Sequence, residues 1–194
     1  LNLTAATSTS YSGSIQIYNI STIGSGATNG ISYNTATNGG VVNNNNISGF
    51  WAPNATMTGI LLTLGTTTGT SVQGNRIGAD FLSSITSSAF NGINISGATA
   101  AGVSVGNVTG NTIGSMTTTN SIIATGNATT STGIVSASNG VVAIGSASAG
   151  VGNKVGNIYT SSTFSNTLVR GIATTAATGT YTITGNTDTG LTSN

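Results

Sequence analysis

Few side chains in this 194-residue chain could carry acid, base or metal chemistry. The acids are Asp80 and Asp188, the bases Arg76, Lys154 and Arg170, and there is no His or Cys. Glycoside cleavage needs two carboxylates at a defined separation. Asp80 and Asp188 fall in different sequence repeats, so a stack of those repeats predicts that they are too far apart to cooperate. A serine without a neighbouring base is only a hydroxyl. Calcium asks for several oxygen ligands, commonly carboxylates, and zinc for His or Cys. The chain is therefore predicted to be no enzyme, with no catalytic residues, no metal site and no cofactor.

Charge excludes further classes. The formal net charge is +1, so no basic stripe exists to neutralise phosphates and nucleic acid is not expected as a partner. No apolar run approaches the length of a membrane span, so no membrane insertion is expected. The start, Leu1-Asn2-Leu3-Thr4, shows no signal peptide, and the sequence reads as a mature product or an excerpt of something longer. Asn-x-Ser/Thr triplets at Asn54, Asn107 and Asn127 are expected by chance in so Asn- and Thr-rich a chain.

What the sequence does carry is repetition. An apolar residue is followed three places later by Asn, five places later by an apolar residue and eight places later by another. The copies are Ile15-Tyr18-Ile20-Ile23, Val42-Asn45-Ile47-Phe50, Val72-Asn75-Ile77-Asp80, Val108-Asn111-Ile113-Met116, Gly150-Asn153-Val155-Ile158 and Ile183-Asn186-Asp188-Leu191. Substitutions interrupt the frame: Tyr18 for Asn, Asp80 beside Phe81, Gly150 for the leading aliphatic, and Asp188. A second marker alternates with this frame: Gly30-Ile31, Gly59-Ile60, Gly92-Ile93, Gly133-Ile134 and Gly171-Ile172. Two interleaved markers at unequal spacing describe a stack of coils with a fixed frame and variable loops.

Composition says which elements build the coils. Thr contributes 37 residues, and β-branched side chains suit pleated strands. Helix formers such as Glu and Lys are nearly missing, so no long helix is expected. Each repeat is predicted to hold two or three short strands. The prediction is an all-β fold, a right-handed parallel β-helix of about six irregular coils, occupying 1–194 as one domain. Loops such as Ser115 to Thr132 should project. Asn-Gly pairs at 29–30, 38–39, 91–92 and 139–140 signal turns.

Stacking puts each Asn over the next. Its amide offers two donors and one acceptor, so Asn45, Asn75, Asn111, Asn153 and Asn186 are predicted to form a hydrogen-bonded ladder. Gly74, Gly110 and Gly185, and Asn44 in the second copy, precede these residues and permit a sharp corner. Arg76 and Lys154 flank ladder positions and should point to solvent.

The segments Val72-Gln73-Gly74-Asn75-Arg76-Ile77-Gly78, Val108-Thr109-Gly110-Asn111-Thr112-Ile113-Gly114 and Gly92-Ile93-Asn94-Ile95 resemble parallel β-helix repeats. They are most similar to the Ser/Thr/Asn/Gly-rich β-strand repeats of large secreted Bacteroidota surface proteins. That resemblance implies a right-handed parallel β-helix, export, and an extracellular or cell-surface location.

The functional expectation is a structural β-solenoid of a fibre, stalk or adhesin, with like subunits or adjacent repeats of the same protein as partners. Glycan binding is an alternative. Its candidate contact is Trp51 in Phe50-Trp51-Ala52-Pro53, against the reading in which Phe50 fills the core and Trp51 covers a coil edge. Ice binding is another: Thr180, Thr182 and Thr184 alternate correctly on one segment, but the array does not recur in other repeats.

Overall fold

The computed structural model describes residues 2–5, 10–12, 16–18, 27–35, 39–52, 56–65, 68–80, 83–86, 89–97, 101–125, 130–161 and 167–194. Among them every regular element is a β-strand, and every strand pairing is parallel. The strands form four sheets. Sheet 1 holds Asn2–Ala5, Thr28–Thr35, Met57–Leu64, Phe90–Ser96, Thr130–Ser136 and Leu168–Thr174. Sheet 2 holds Ser10–Ser12, Val41–Asn43, Thr68–Gln73, Ala101–Val105, Val141–Gly145 and Thr180–Thr184. Sheet 3 holds Gln16–Tyr18, Asn46–Ser48, Arg76–Ile77, Thr112–Ile113, Lys154–Gly156 and Thr187–Thr189. Sheet 4 holds Trp51–Ala52, Ser83–Thr86, Ile122–Thr125, Ile158–Ser161 and Thr192–Ser193.

The chain visits the sheets in rotation, so neighbours within a sheet lie one full repeat apart in sequence. This is the solenoid-like stack of parallel strands that the repeats predict. Between Thr28 and Ser193 each repeat contributes four strands, rather than two or three. The additional ones are in sheet 4, whose segments are short and rich in Ser and Thr.

Inward and outward residues alternate along the strands, as a pleat requires. In Met57–Leu64, Ile60, Leu62 and Leu64 are buried while Thr63 is exposed. In-register pairing aligns Ile31, Ile60, Ile93, Ile134 and Ile172 in one column. Sheet 2 aligns Val42, Val72, Val105, Ile144 and Ile183. Sheet 3 aligns Ile17, Ile47, Ile77, Ile113, Val155 and Asp188. Each aliphatic side chain fully buried in this way contributes roughly 1.5–3 kcal/mol.

The glycine of each Gly-Ile pair has a packing cause. A Cβ on Gly30 would stand 2.6 Å from Ile47 Cγ2 and 2.7 Å from the Gly59 carbonyl oxygen. A Cβ on Gly92 would stand 2.6 Å from Ile113 Cγ2, and one on Gly133 2.7 Å from the Gly171 oxygen. The glycines of sheet 1 thus form a trough that receives the aliphatic column of sheet 3. The two sequence markers are the two halves of one sheet-to-sheet contact.

Register corrects several sequence-based expectations. In the fourth repeat the partner of Val72 is Val105, not Val108, and Val108 is 73% exposed. In the fifth the core position belongs to Ile144, not Gly150. Asn111 and Asn153 follow their true apolar leads by six and nine positions instead of three. The extra residues, such as Gly106 to Thr109, bulge at the corner between sheets 2 and 3. Tyr18 is not an Asn stand-in, because it pairs with Ser48. Ile15, Ile20 and Ile23 lie outside the described residues.

The span from Ser115 to Thr132 is not one projecting loop. It contains the sheet 4 strand Ile122–Thr125, whose Ile122 and Ala124 are fully buried. Met116 is not the apolar residue that follows Ile113 in the core; Ile122 takes that place, opposite Ile158. Asn29-Gly30 and Asn91-Gly92 are not turns but lie inside strands, where glycine is needed for the trough. Asn38 lies outside the described residues, whereas Asn139-Gly140 bends between two strands.

Candidate functional site: an asparagine column and two polar surfaces

The corner between sheets 2 and 3 places Asn45, Asn75, Asn111, Asn153 and Asn186 in one line. The backbone N–H and Nδ2 of Asn45 both donate to Asn75 Oδ1, at 3.0 and 2.9 Å. Asn75 donates in the same way to Asn111 Oδ1 at 2.9 and 2.8 Å. Asn111 does so to Asn153 at 3.1 and 2.8 Å, and Asn153 to Asn186 at 3.0 and 2.9 Å. The second Nδ2 proton of each residue from Asn75 onward goes back to a sheet 2 carbonyl: Val42, Val72, Val105 and Ile144 in turn. Asn75, Asn111 and Asn153 are fully buried. Both amide protons and the oxygen of these three side chains are used, which satisfies polar groups that burial would otherwise penalise.

The turn before the column is made by residues that accept a left-handed backbone. Asn44 has φ 58°, Gly74 φ 64° and Gly185 φ 60°, a region costly for most side chains. Gly110 differs: its φ is not left-handed, and it is held to glycine by the close Gly152 backbone.

The two carboxylates stand apart. Asp80 and Asp188 lie by strands three places apart in sheet 3, about 14 Å at the usual strand spacing. Asp80 is ion-paired with Arg76 and accepts from Asn46 Nδ2 at 2.5 Å. The Arg76 hydrogen bond, helped by Asn46, holds its carboxyl below the usual carboxylate range. Arg76 is itself pushed up by that bond. Among the described residues no cluster of three potential metal ligands occurs, and no helix is long and apolar enough to cross a membrane.

Asp188 occupies the sheet 3 column that elsewhere holds Ile or Val. Its carboxylate abuts Gly171 on one side and is open to solvent on the other. Partial burial pushes its pKa up. Arg170, Ile172, Ile183, Asn186 and Asp188 line a hollow of about 540 Å³ at this end of the stack. A raised carboxyl pKa means that the folded end binds a proton more readily than the unfolded chain, so stability falls as pH rises from the unfolded carboxyl value through the folded one. Asp188→Val is expected to raise hydrogen-exchange protection of Leu168–Thr174 and Thr187–Thr189 at pH 7, with a smaller gain at pH 3.5. An equal gain at both values would deny that the charge is the cause.

Other sequence candidates are placed as follows. Phe50 is buried and its ring centroid lies 6.0 Å from that of Phe90. The backbone of Trp51 pairs with Ser84 in sheet 4, while its side chain and Pro53 lie outside what the structure describes. Thr180, Thr182 and Thr184 stand beside Val141, Ala143 and Gly145, so the hydroxyl row stops after one strand. Arg76 and Lys154 are exposed on the outer face of sheet 3, in register with Thr112 between them. Sequence reading missed the groove they border with Ser115, Met116 and Thr118. Its only signal was that four of the five charged residues, all but Arg170, recur near the Asn frame.

Comparison with known proteins finds no family model, no curated protein and no solved structure that matches the chain.

Proposed function

We propose that the chain is a non-enzymatic scaffold: a right-handed β-solenoid of six coils that serves as a rigid unit of an extracellular fibre, stalk or cell-surface adhesin. The observation that carries this reading is the unbroken asparagine column from Asn45 to Asn186. It runs beside aliphatic columns that Asp188 alone interrupts, so the best-ordered chemistry of the molecule is spent on holding one coil to the next. Repeat stacks of this kind derive their stability from nearest-neighbour interfaces and form stiff rods.

One end supports assembly with a further coil, from an adjacent repeat or a second copy. The strands Leu168–Thr174, Thr180–Thr184 and Thr187–Thr189 are each paired on one side only among the described residues. Leu168 and Ile183 are exposed there, at 46% and 45%. Open sheet edges are templates for pairing.

The test is negative-stain microscopy together with small-angle scattering across a concentration series. The expected result is a rod whose length grows with concentration while its width stays constant. A compact particle of fixed size at every concentration would refute the assembly. Release of reducing ends from polysaccharides would refute the non-enzymatic reading.

A further inference from the structure

We propose that the groove on the outer face of sheet 3 binds a carboxylate-bearing polysaccharide, with Lys154 as the contact for its carboxylate. This site is separate from the asparagine column and from Trp51.

Arg76, Thr112 and Lys154 follow one another across three neighbouring strands. Arg76 and Lys154 are therefore about 10 Å apart at the backbone, two strand spacings. Together with the loop over residues 115–118 they border a groove of about 420 Å³. Three of the chain's five charged side chains, Arg76, Asp80 and Lys154, line this one place.

The cations are not equivalent. Arg76 is oriented by Asp80, to which its Nε and Nη2 donate. A guanidinium has five N–H donors, so this pairing fixes its plane and leaves donors over. Lys154 is exposed, and its ammonium has no ion-pair or hydrogen-bond partner among the described residues. An anion entering the groove meets one free positive charge and one that is already positioned.

The opposite wall is built before any ligand arrives. Ser115 Oγ accepts from the backbone N–H of Thr117 and Thr118, at 3.2 and 2.9 Å. The Ser115 N–H donates to Ser121 Oγ at 2.7 Å, and its carbonyl accepts from Asn157 Nδ2 at 2.8 Å. Met116 lies against Gly156, where a Cβ would stand 2.5 Å from the Met116 methyl. The wall thus offers an apolar thioether beside the exposed Thr117 and Thr118.

This combination selects among anions. One unpaired cation is too few for a nucleic-acid backbone, whose affinity grows with the number of phosphates neutralised. An extended acidic peptide also brings carboxylates, but it has neither ring hydroxyls for the threonines nor apolar ring faces for Met116. A polyuronate brings one carboxylate per ring, hydroxyls for Thr112 and Thr118, and apolar ring faces for Met116.

The experiment is affinity electrophoresis of the whole chain in gels containing alginate, dextran or polyglutamate at low ionic strength. Retardation is expected with alginate, weaker retardation with polyglutamate and none with dextran. Lys154→Gln is expected to weaken alginate binding about tenfold, the scale of one charge-assisted hydrogen bond. Lys154→Arg should retain it. Arg170→Gln, which removes the same charge from sheet 1, outside the groove, should leave it unchanged. Retardation should vanish near 1 M salt, where the screening length falls to about 3 Å. No retardation by alginate, equal retardation by dextran or polyglutamate, an inert Lys154→Gln, or an equal loss in Arg170→Gln would each overturn the proposal.

Discussion

Asn111→Ala is expected to destabilise the stack by about 3–5 kcal/mol. The wild-type side chain accepts two hydrogen bonds from Asn75 and donates one each to Asn153 and Val72. Truncation removes all four, but their losses are unequal. The Val72 carbonyl keeps the Gly106 N–H at 2.9 Å, and Asn153 Oδ1 keeps the Asn111 backbone N–H at 3.1 Å. Asn75 is left with its backbone N–H and one amide proton buried without an acceptor. Each such orphan costs about 1–3 kcal/mol, and the lost side chain leaves a void in a packed interior. Asn186→Ala provides the comparison. Asn186 lies at the end of the column and is half-buried, so water can replace its bonds and a loss of about 1 kcal/mol is expected. Guanidinium unfolding followed by circular dichroism measures both. Equal losses at the two positions would show that the column is not cumulative.

The second large effect is expected from Gly92→Ala, at about 2–4 kcal/mol for one added methyl. The methyl would be driven into Ile113 and the Gly133 carbonyl. Neither can yield readily, because Ile113 is locked between Ile77 and Val155, and the carbonyl belongs to the neighbouring strand. Overpacking of a filled core typically costs 1–3 kcal/mol and sometimes more. Gly69→Ala is the control: a Cβ there meets nothing within 4 Å, though its φ of 67° is left-handed. Its cost should be the backbone share alone, about 1 kcal/mol. The thermal midpoints of the two variants separate packing from backbone strain. If Gly69→Ala proved as damaging as Gly92→Ala, the trough between sheets 1 and 3 would not be the reason for the Gly-Ile marker.

These two sites show why the sequence was partly readable. Gly-Ile recurs because its glycine fills one role in each repeat and cannot be replaced. Asn recurs because one amide can both accept from one neighbour and donate to the next. Positions with weaker demands left weaker traces. Val108 looks like a core residue because it precedes Asn111 by the same interval as Val72 precedes Asn75. The chain inserts residues at that corner instead, and Val105 takes the inward place. No local rule distinguishes the two valines; pairing with Val72 does. Ile122 was hidden for a related reason. It follows Ile113 after a loop whose Ser, Met and Thr residues carry no periodic pattern, and its burial follows from pairing with Ile158.

The groove beside Lys154 was harder still to foresee. Arg76 and Lys154 are 78 positions apart in sequence, and only the in-register stacking of sheet 3 places them on either side of Thr112.

By itself the sequence determined that the chain is built of β-strands, that its units repeat, and that one glycine and one asparagine per unit are structurally demanding. Those properties follow from local chemistry: side-chain branching, the space a Cβ needs, and the donors and acceptors of an amide. Only the tertiary structure decided which apolar residues face inward at each corner, that a fourth sheet closes the repeat, and that Asp188 enters the aliphatic column. Each of these depends on register between strands some thirty to forty residues apart, set by the summed fit of all four sheets rather than by any local segment.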